Sequence, residues 1–364
     1  MIIKKLLLRD WRNAEETRLE FSNSVNLICG DNAAGKTNLL EAIFFFAAGK
    51  SFRGCREKEL IRFGCDKSAA DIEFVSGGAE KRMGVRLKKN ERRRFYREGN
   101  EIVRMSEFLG EFRSVIFTPD HLDLVKGSPD GRRRFTDMAI CQSFPRHIAA
   151  LSEYNRLLIQ KNAHLKGDIT VPELLDVYDE RMAALAAAIT VNRRKYLEQL
   201  EKAARTVLDE MSEHTEQLSI MYVTQAEGYT AEEIRQSYLS MFASKRAAEI
   251  EKRVTLCGPQ KDDFFIYINR RAVRLYGSQG QQRSAVLALK LAEGELSKSL
   301  TGEYPVFLLD DVLSELDARR RSYVLGRISG RQVIITGCDP GIAAALGAGT
   351  LITVKDGKAE CSYI

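Results

Sequence analysis

Alternating apolar and polar positions near the N-terminus predict strands at Ile2–Leu8, Leu19–Phe21 and Val25–Cys29, the last running straight into Gly30. The pattern then changes. Asn38 to Ala48 contains no Gly or Pro and carries Leu39, Leu40, Ala42, Ile43 and Phe46, which predicts a buried helix. From 69 to 104 the chain reads as a meander with strands at Ala69–Val75, Lys81–Leu87, Arg92–Arg97 and Ile102–Met105, separated by Gly77-Gly78, Lys89-Asn90 and Gly99-Asn100. Ser114–Phe117 is a further strand, closed by Pro119. From about 131 to 253 breakers are few and the chain reads as helical, with Pro145 and Pro172 placed to begin helices. The run from Pro172 to about Met211, rich in Ala, Leu, Glu and Arg, predicts a coiled coil or a helical-bundle arm. Strands resume at Phe264–Ile268, Ala272–Leu275, Val306–Leu309 and Gln332–Thr336, with helices from Gln281 to about Leu300 and near Ala318–Ile328. Leu351–Val354 and Ala359–Tyr363 read as a hairpin around Asp356-Gly357. The sum is a mixed α/β core interrupted by one helical insertion.

With 364 residues, 44% of them hydrophobic, the chain can bury cores in two lobes, and 29% charge with 8% aromatics is the composition of a folded protein. The seven cysteines (29, 55, 65, 141, 257, 338 and 361) include no Cys-x-x-Cys, which reads as reduced thiols rather than a disulfide framework or a zinc site. Lys4 and Lys5 break the first apolar run, so no signal peptide is expected, and no apolar stretch approaches the roughly 18 residues that span a bilayer. The expectation is a cytoplasmic protein without membrane contact.

Candidate chemistry begins at Gly30-Asp31-Asn32-Ala33-Ala34-Gly35-Lys36-Thr37, followed by Asn38. This is a P-loop pattern between a strand and an apolar helix. Its glycines let backbone N–H groups approach phosphates, and the helix N-terminus adds its dipole. Lys36 would reach the terminal phosphates of ATP, and the Thr37 hydroxyl would ligate Mg²⁺. The apolar strand ending in Asp310-Asp311 supplies the other half of such a site: Asp310 to hold Mg²⁺, Asp311 to polarise water. Tyr276-Gly277-Ser278-Gln279-Gly280-Gln281 precedes a Pro-free helix, where the Ser hydroxyl and Gly N–H make an anion site. In an ATP sandwich each subunit would offer Ser278–Gln281 to the other's γ-phosphate, Ser314-Glu315-Leu316-Asp317 would cross the interface, and Thr336 would sense the γ-phosphate.

The formal charge is +6, yet residues 81 to 104 alone hold ten Lys/Arg against three Glu. Basic strands carrying Phe95 and Tyr96 suit a nucleic-acid backbone, with Lys88, Lys89, Arg92, Arg93, Arg94 and Arg97 as candidate DNA contacts. A sheet edge protected by charge would show the same composition. Arg132–Arg134 and Arg319–Arg321 are further basic clusters, the second of which would alternatively face a dimer partner.

These segments together resemble RecF, a family of bacterial recombination-repair ATPases in the ABC/SMC-head class. The resemblance rests on Leu8-Arg9-Asp10-Trp11-Arg12-Asn13, on 30–43, and on Gly49-Lys50-Ser51-Phe52-Arg53. It continues through Phe117-Thr118-Pro119-Asp120, Leu124-Val125-Lys126-Gly127-Ser128-Pro129, Arg132–Phe135 followed by Asp137, Gly258-Pro259-Gln260-Lys261-Asp262-Asp263, Gly277–Arg283, Leu287–Glu293, Leu308–Asp317 and Gln332–Thr336. It implies an α/β P-loop fold of two lobes. Residues 1–120 form an ATPase lobe with the β-meander, 121–257 a helical insertion, 258–300 a signature segment and 301–364 the rest of the ATPase lobe. It also implies an ATP-induced homodimer on single- and double-stranded DNA at gaps, with weak, DNA-dependent ATPase activity. Cooperation with RecR and RecO in recombinase loading and SOS induction belongs to the same implication. Two departures stand out. The family usually has His-Arg where this chain has Gln260-Lys261, and no glutamine of an ABC Q-loop is identifiable, 117–121 being its expected place. Asp311, where transporter ATPases carry Glu, is a methylene shorter and implies slow hydrolysis.

Two other readings share the P-loop: the nucleotide-binding subunit of an ABC transporter, and a monomeric small-molecule phosphotransferase. The first would carry a Leu-Ser-Gly-Gly-Gln signature and a histidine at Thr336. The second leaves Ser278–Gln281 without a purpose.

Overall fold

The computed structural model describes residues 1–167, 171–337, 347, 349–355 and 357–363, with the side chains of Glu315 and Tyr363 excepted. Cys338 and the hairpin residue Asp356 lie outside the described residues. The chain runs β1 (Ile2–Trp11), β2 (Ala14–Glu20), β3 (Val25–Cys29), α1 (Lys36–Ala48), β4 (Lys67–Ser76), β5 (Ala79–Lys88), β6 (Arg94–Arg97), β7 (Asn100–Ile102), α2 (Met105–Phe108) and β8 (Ser114–Phe117). There follow α3 (Asp123–Lys126), α4 (Pro129–Ser143), α5 (Pro145–Lys166), α6 (Pro172–Met211), β9 (Leu218–Val223) and α7 (Ala231–Lys252). Next come β10 (Asp263–Ile268), β11 (Arg271–Ala272), α8 (Val273–Tyr276), α9 (Gln279–Thr301) and β12 (Val306–Asp310). The described chain ends with α10 (Ala318–Ile328), β13 (Val333–Gly337), β14 (Thr350–Lys355) and β15 (Lys358–Tyr363). Two compact units result: residues 1–121, 210–213 and 286–364, and residues 122–209 with 214–285.

The first unit holds two sheets. One has the order β15-β14-β3-β13-β12-β8, parallel from β14 to β8 and closed by the antiparallel β15. Its inner strands β12 and β13 are buried at every position, as near-continuous apolar runs require when both sheet faces are covered. The other sheet, β2-β1-β4-β5-β6-β7, is antiparallel, and β4 alternates buried with more exposed positions. Between them α1 touches strands of both sheets, which is why it is apolar nearly all round. Trp11 meets Phe45 edge-on at 5.6 Å, and Phe46 meets Phe108 at 6.2 Å.

In the second unit α6 is a bundle member. Met182, Ala183, Ala186 and Ala187 pack with Tyr154, Leu157, Ile234, Tyr238 and Phe242, the alanines admitting the neighbouring helices closely. The sequence reads 131–253 as helical throughout; the structure places β9 within it, paired antiparallel with β10 from Asp263↔Val223 to Ile268↔Leu218. That pairing carries the unit on to 285, past the expected end at 257. The expected strand at Ala272–Leu275 is instead the short β11 followed by the helical turn α8.

The Gly258–Asp263 stretch is explained by a buried ionic network. Arg193 donates to both Asp137 carboxylate oxygens at 2.8 Å, to the Pro259 carbonyl at 2.6 Å and to Asp262 at 3.2 Å. Tyr222 donates to Asp262 at 2.5 Å, and Arg132 grips Asp263 at 2.6 and 2.8 Å. Gln260 accepts from the Tyr154 hydroxyl and donates to the Cys257 carbonyl, while Lys261 is exposed. Burial raises the Asp137 carboxyl, but the hydrogen bonds from Arg193 and His147 override it and hold it at about 2. A carboxyl depressed on folding stabilises above its unfolded value near 3.8 and loses that contribution as pH falls toward 2. Asp137→Asn should therefore cost about 3 kcal/mol at neutral pH, since it strands a buried guanidinium. It should also flatten the acid loss below pH ~4. Urea denaturation at neutral and acid pH measures both; equal stability of variant and wild type at neutral pH would count against the network.

No helix among the described residues is long and apolar enough to cross a membrane.

Candidate nucleotide-binding site

The ends of four parallel strands lie level with one another: Phe117 pairs with Leu309, Asp310 with Thr336, and Gly337 with Cys29. Loops leaving this C-terminal edge carry the chemistry, as in open α/β sheets generally. Leaving β3, Gly30 passes so close to β14 that a Cβ would stand 2.2 Å from the Val354 carbonyl oxygen. Gly35, at φ 113°, caps α1, and Asn38 and Leu39 donate their N–H groups to its carbonyl at 3.0 and 3.3 Å. Asp31, Asn32 and Ala33 are exposed, with Ala33 left-handed at φ 67°. The Lys36 ammonium folds back on the loop, donating to the carbonyls of Gly30 at 2.6 Å and Asp31 at 3.0 Å.

Thr37 and Thr336 both donate to Asp310 Oδ1 at 2.9 Å. The Thr336 hydroxyl also accepts from the Asp311 N–H at 3.0 Å, so this buried threonine spaces the two acids. Asp311 is exposed, left-handed at φ 54°, and accepts from Ser314 at its carbonyl (2.7 Å) and at Oδ1 (3.2 Å). Burial raises the Asp310 carboxyl above its ordinary range, against the two threonine hydrogen bonds and the charge of Arg53; Asp311 adds to the rise. A hydroxyl and a carboxylate oxygen brought together are hard donors of the kind Mg²⁺ takes, and Mg²⁺ asks little more of a protein when phosphates complete its shell.

Sequence reasoning does not single out Arg12, Asn13 or Arg53, which enter only through the resemblance. In the turn between β1 and β2, Arg12 donates to both oxygens of the buried Glu41 on α1 at 2.7 Å. Ser51 donates to the same carboxylate. Asn13 donates to the Ala34 carbonyl at 2.9 Å and accepts from Asn38 at 2.7 Å, and Asn38 accepts from Arg53 at 3.0 Å. The P-loop is thus held from outside by a neighbouring turn. No spacing rule reveals such tertiary contacts; the buried Glu41 amid the apolar residues of 39–48 is the one available signal. In the 117–121 segment, His121 Nδ1 accepts from the Thr118 N–H at 2.9 Å. Desolvation and then the Lys290 charge push that imidazole well below its usual range, so it is neutral.

At the start of α9, Gln281 N–H donates to Ser278 Oγ at 3.2 Å and Ser278 N–H donates to Gln281 Oε1 at 3.0 Å, a reciprocal cap. Gln281 also donates to Glu216 at 2.9 Å. Ser278 and Gln279 are exposed, Gly280 and Gln281 half-buried, and Leu275 and Tyr276 beside them are 72% and 71% exposed.

The basic meander is less charged than its composition. Lys81 and Arg97 pair with Glu111, Arg86 with Asp71, Lys89 with Asp66, and Arg93 with Glu57, all acids from outside the 81–104 stretch. Lys88 pairs with Glu91. Of the six candidate DNA contacts, Arg92 and Arg94 form no ion pair among the described residues. The Arg132–Arg134 cluster is not a uniform surface patch: Arg132 is buried on Asp263, and Arg133 donates to the Asp262 carbonyl. Arg319 pairs with Glu213 and Arg320 with Asp317.

The RecF/RecN/SMC N-terminal domain family matches residues 2–360. The DNA replication and repair protein RecF of Bacillus subtilis is 42% identical over 347 residues, 92% of this chain and 93% of that one. Its Clostridium perfringens counterpart is 38% identical over 336 residues, 92% of each. The solved structure of the recombination mediator protein RecF with ATP, in the RecFOR pathway, superposes with a TM-score of 0.93 at 34% identity, covering 99% of this chain and 97% of that one. An Smc head domain from Pyrococcus furiosus gives a TM-score of 0.57 at 17% identity, a likeness of fold.

Proposed function

The chain belongs to the RecF family, and from that premise we propose that it is an ATP-dependent DNA clamp of recombinational repair and replication. Two copies close on DNA around ATP, and slow hydrolysis resets them. The observation that carries this reading is the pairing of a complete phosphate loop with an exposed, capped helix N-terminus at Ser278. Each copy offers that terminus to the nucleotide of the other.

In this reading the N–H groups of 30–37 cradle the phosphates, and Lys36 exchanges its two loop carbonyls for phosphate oxygens. Thr37 and Asp310 would hold Mg²⁺, which supplies charge neutralisation at the phosphates. Asp311 accepts the proton of an attacking water, with Thr336 fixing its backbone. Being shorter than Glu, it makes the enzyme a timer rather than a motor. Ser278, Gln279, Gly280 and Gln281 complete the γ-phosphate site in trans. The basic meander meets the DNA backbone, and RecR and RecO act with the clamp at single-strand/double-strand junctions in recombinase loading and SOS induction. The family assignment leaves the transporter and phosphotransferase readings without support.

The test is sedimentation with and without ATP, joined to the dependence of ATPase rate on protein concentration. A sandwich dimer gives a faster-sedimenting species with ATP and a steeper-than-linear rate. A monomer at all ATP concentrations with a linear rate would end the clamp reading.

A further inference from the structure

The antiparallel sheet of the first unit carries a groove of about 440 Å³ that the nucleotide site does not use. Its cations are Arg9, Lys67, Arg86, Lys88, Arg92 and Arg94. Register explains how they meet. Arg9 on β1 pairs with Ala69 on β4, Ala69 with Arg86 on β5, and Arg86 with Arg94 on β6. Residues directly opposite one another share a sheet face, so three arginines stand in one row across four strands. At about 4.8 Å per strand the row is roughly 14 Å long, enough for more than one phosphate. Small residues lower its floor: Ala69 in the row itself, and Gly84, which pairs with Asp71 and with Tyr96. A Cβ on Gly84 would stand 2.7 Å from the Asp71 carboxylate.

Some of this charge is already matched. Arg86 pairs with Asp71 and Lys88 with Glu91, and the groove's Asp10 is held by Arg62. Arg9, Lys67, Arg92 and Arg94 form no ion pair among the described residues; Arg9 acts on Asp10 and Arg94 on Glu91 only through their charge, and the groove's six cations outnumber its two acids, an excess suited to a polyanion.

A turn tied to the groove through Asp10 carries an aromatic ring that packs on none of the described residues. Phe63 is 101% exposed. It sits in the turn Arg62–Cys65, closed by the Cys65 N–H on the Arg62 carbonyl at 3.0 Å. That turn is fastened to the groove wall, because Arg62 donates to Asp10 through its backbone N–H and its guanidinium, both at 2.8 Å, and Cys65 Sγ lies 3.3 Å from the same carboxylate. A large apolar ring fixed in water by a braced turn gains from a flat partner. Tyr96, under the Arg86 guanidinium at 5.5 Å, is a second ring inside the groove. Excess cations along a trough, with one aromatic ring inside it and another on the turn tied to its wall, are what a single nucleic-acid strand uses: phosphates on the charges, bases on the rings.

We propose that this groove holds a single DNA strand, its backbone along Arg9, Lys67, Arg92 and Arg94, with a base stacked on Phe63. The inference rests on the DNA-clamp reading and deepens it, giving the single-stranded side of a gap its own seat.

The test uses the full chain with ATP, a short oligothymidine carrying one 2-aminopurine, a blunt duplex, and a gapped duplex. Wild type should quench the 2-aminopurine on binding. Phe63→Ala should lose the quench and bind the single strand on the order of tenfold more weakly, with blunt-duplex affinity unchanged. Phe63→Tyr should retain both quench and affinity. Replacing Arg92 and Arg94 by Glu should weaken single-strand binding and reduce its salt slope by about 0.7 for each phosphate no longer neutralised. Phe63→Ala with wild-type affinity and quench, or with equal losses on single strand and duplex, overturns this inference while the clamp reading stands. A wild type that binds none of the three DNAs overturns both.

Discussion

Lys36→Met is expected to reduce ATP turnover by at least about a hundredfold, the scale on which a preorganised charge at a phosphoryl site acts. The substitution keeps an unbranched chain in a position that is only 8% exposed, so packing around the start of α1 changes little. What disappears is the ammonium that now holds the Gly30 and Asp31 carbonyls and would pass to the phosphates. Thr37, Asp310 and Thr336 keep their mutual hydrogen bonds, because none of them runs through Lys36. Turnover and nucleotide titration read the effect, with thermal unfolding as the control for folding. A variant that folds and turns over like wild type would remove Lys36 from the site. Loss of nucleotide affinity should also remove the ATP-driven dimer, since the ligand that would hold the two copies together is no longer retained.

Ser278→Arg is expected to abolish ATP-driven dimerisation while leaving each copy able to bind ATP. The residue is exposed and its structural work is one reciprocal cap with Gln281, whose loss costs about 1 kcal/mol. A folded unit absorbs that. An interface with a γ-phosphate seated on the hydroxyl does not absorb a long cation in its place. Sedimentation with ATP should show a monomer, and the ATPase rate should become low and linear in protein concentration. Retained nucleotide titration separates this variant from Lys36→Met. If Ser278→Arg forms the ATP dimer normally, the helix start at α9 is not the trans half of the site.

The phosphate loop, the acid strand and the helix after Ser278 are legible in the sequence because each is local. A glycine pattern, an apolar run and a cap depend on a few neighbouring residues. The fully buried β12 and β13 read as strands for the same reason. β9 does not, because Leu218–Val223 is a short run amid helices and owes its state to β10, a partner far along the chain. The contacts of Thr336 are hidden on the same grounds: its position after a strand suggests a γ-phosphate sensor, and only the fold shows its hydroxyl donating to Asp310 and accepting from the Asp311 N–H. Charge counting has a matching weakness. The excess between 81 and 104 is real in composition, but acids from Glu57, Asp66, Asp71 and Glu111 fold onto it. Register, not composition, finds the row of Arg9, Arg86 and Arg94.

The short stretch from Arg9 to Asn13 belongs to two places at once. Arg9 and Asp10 line the cationic groove, Arg12 grips Glu41 at the base of the phosphate loop's helix, and Asn13 holds the carbonyl of Ala34 within the loop. Were an anion in the groove to shift this stretch, the nucleotide loop would feel it, and thermodynamic reciprocity would fix the relation: the factor by which bound nucleotide altered affinity in the groove would equal the factor by which an occupied groove altered affinity for nucleotide.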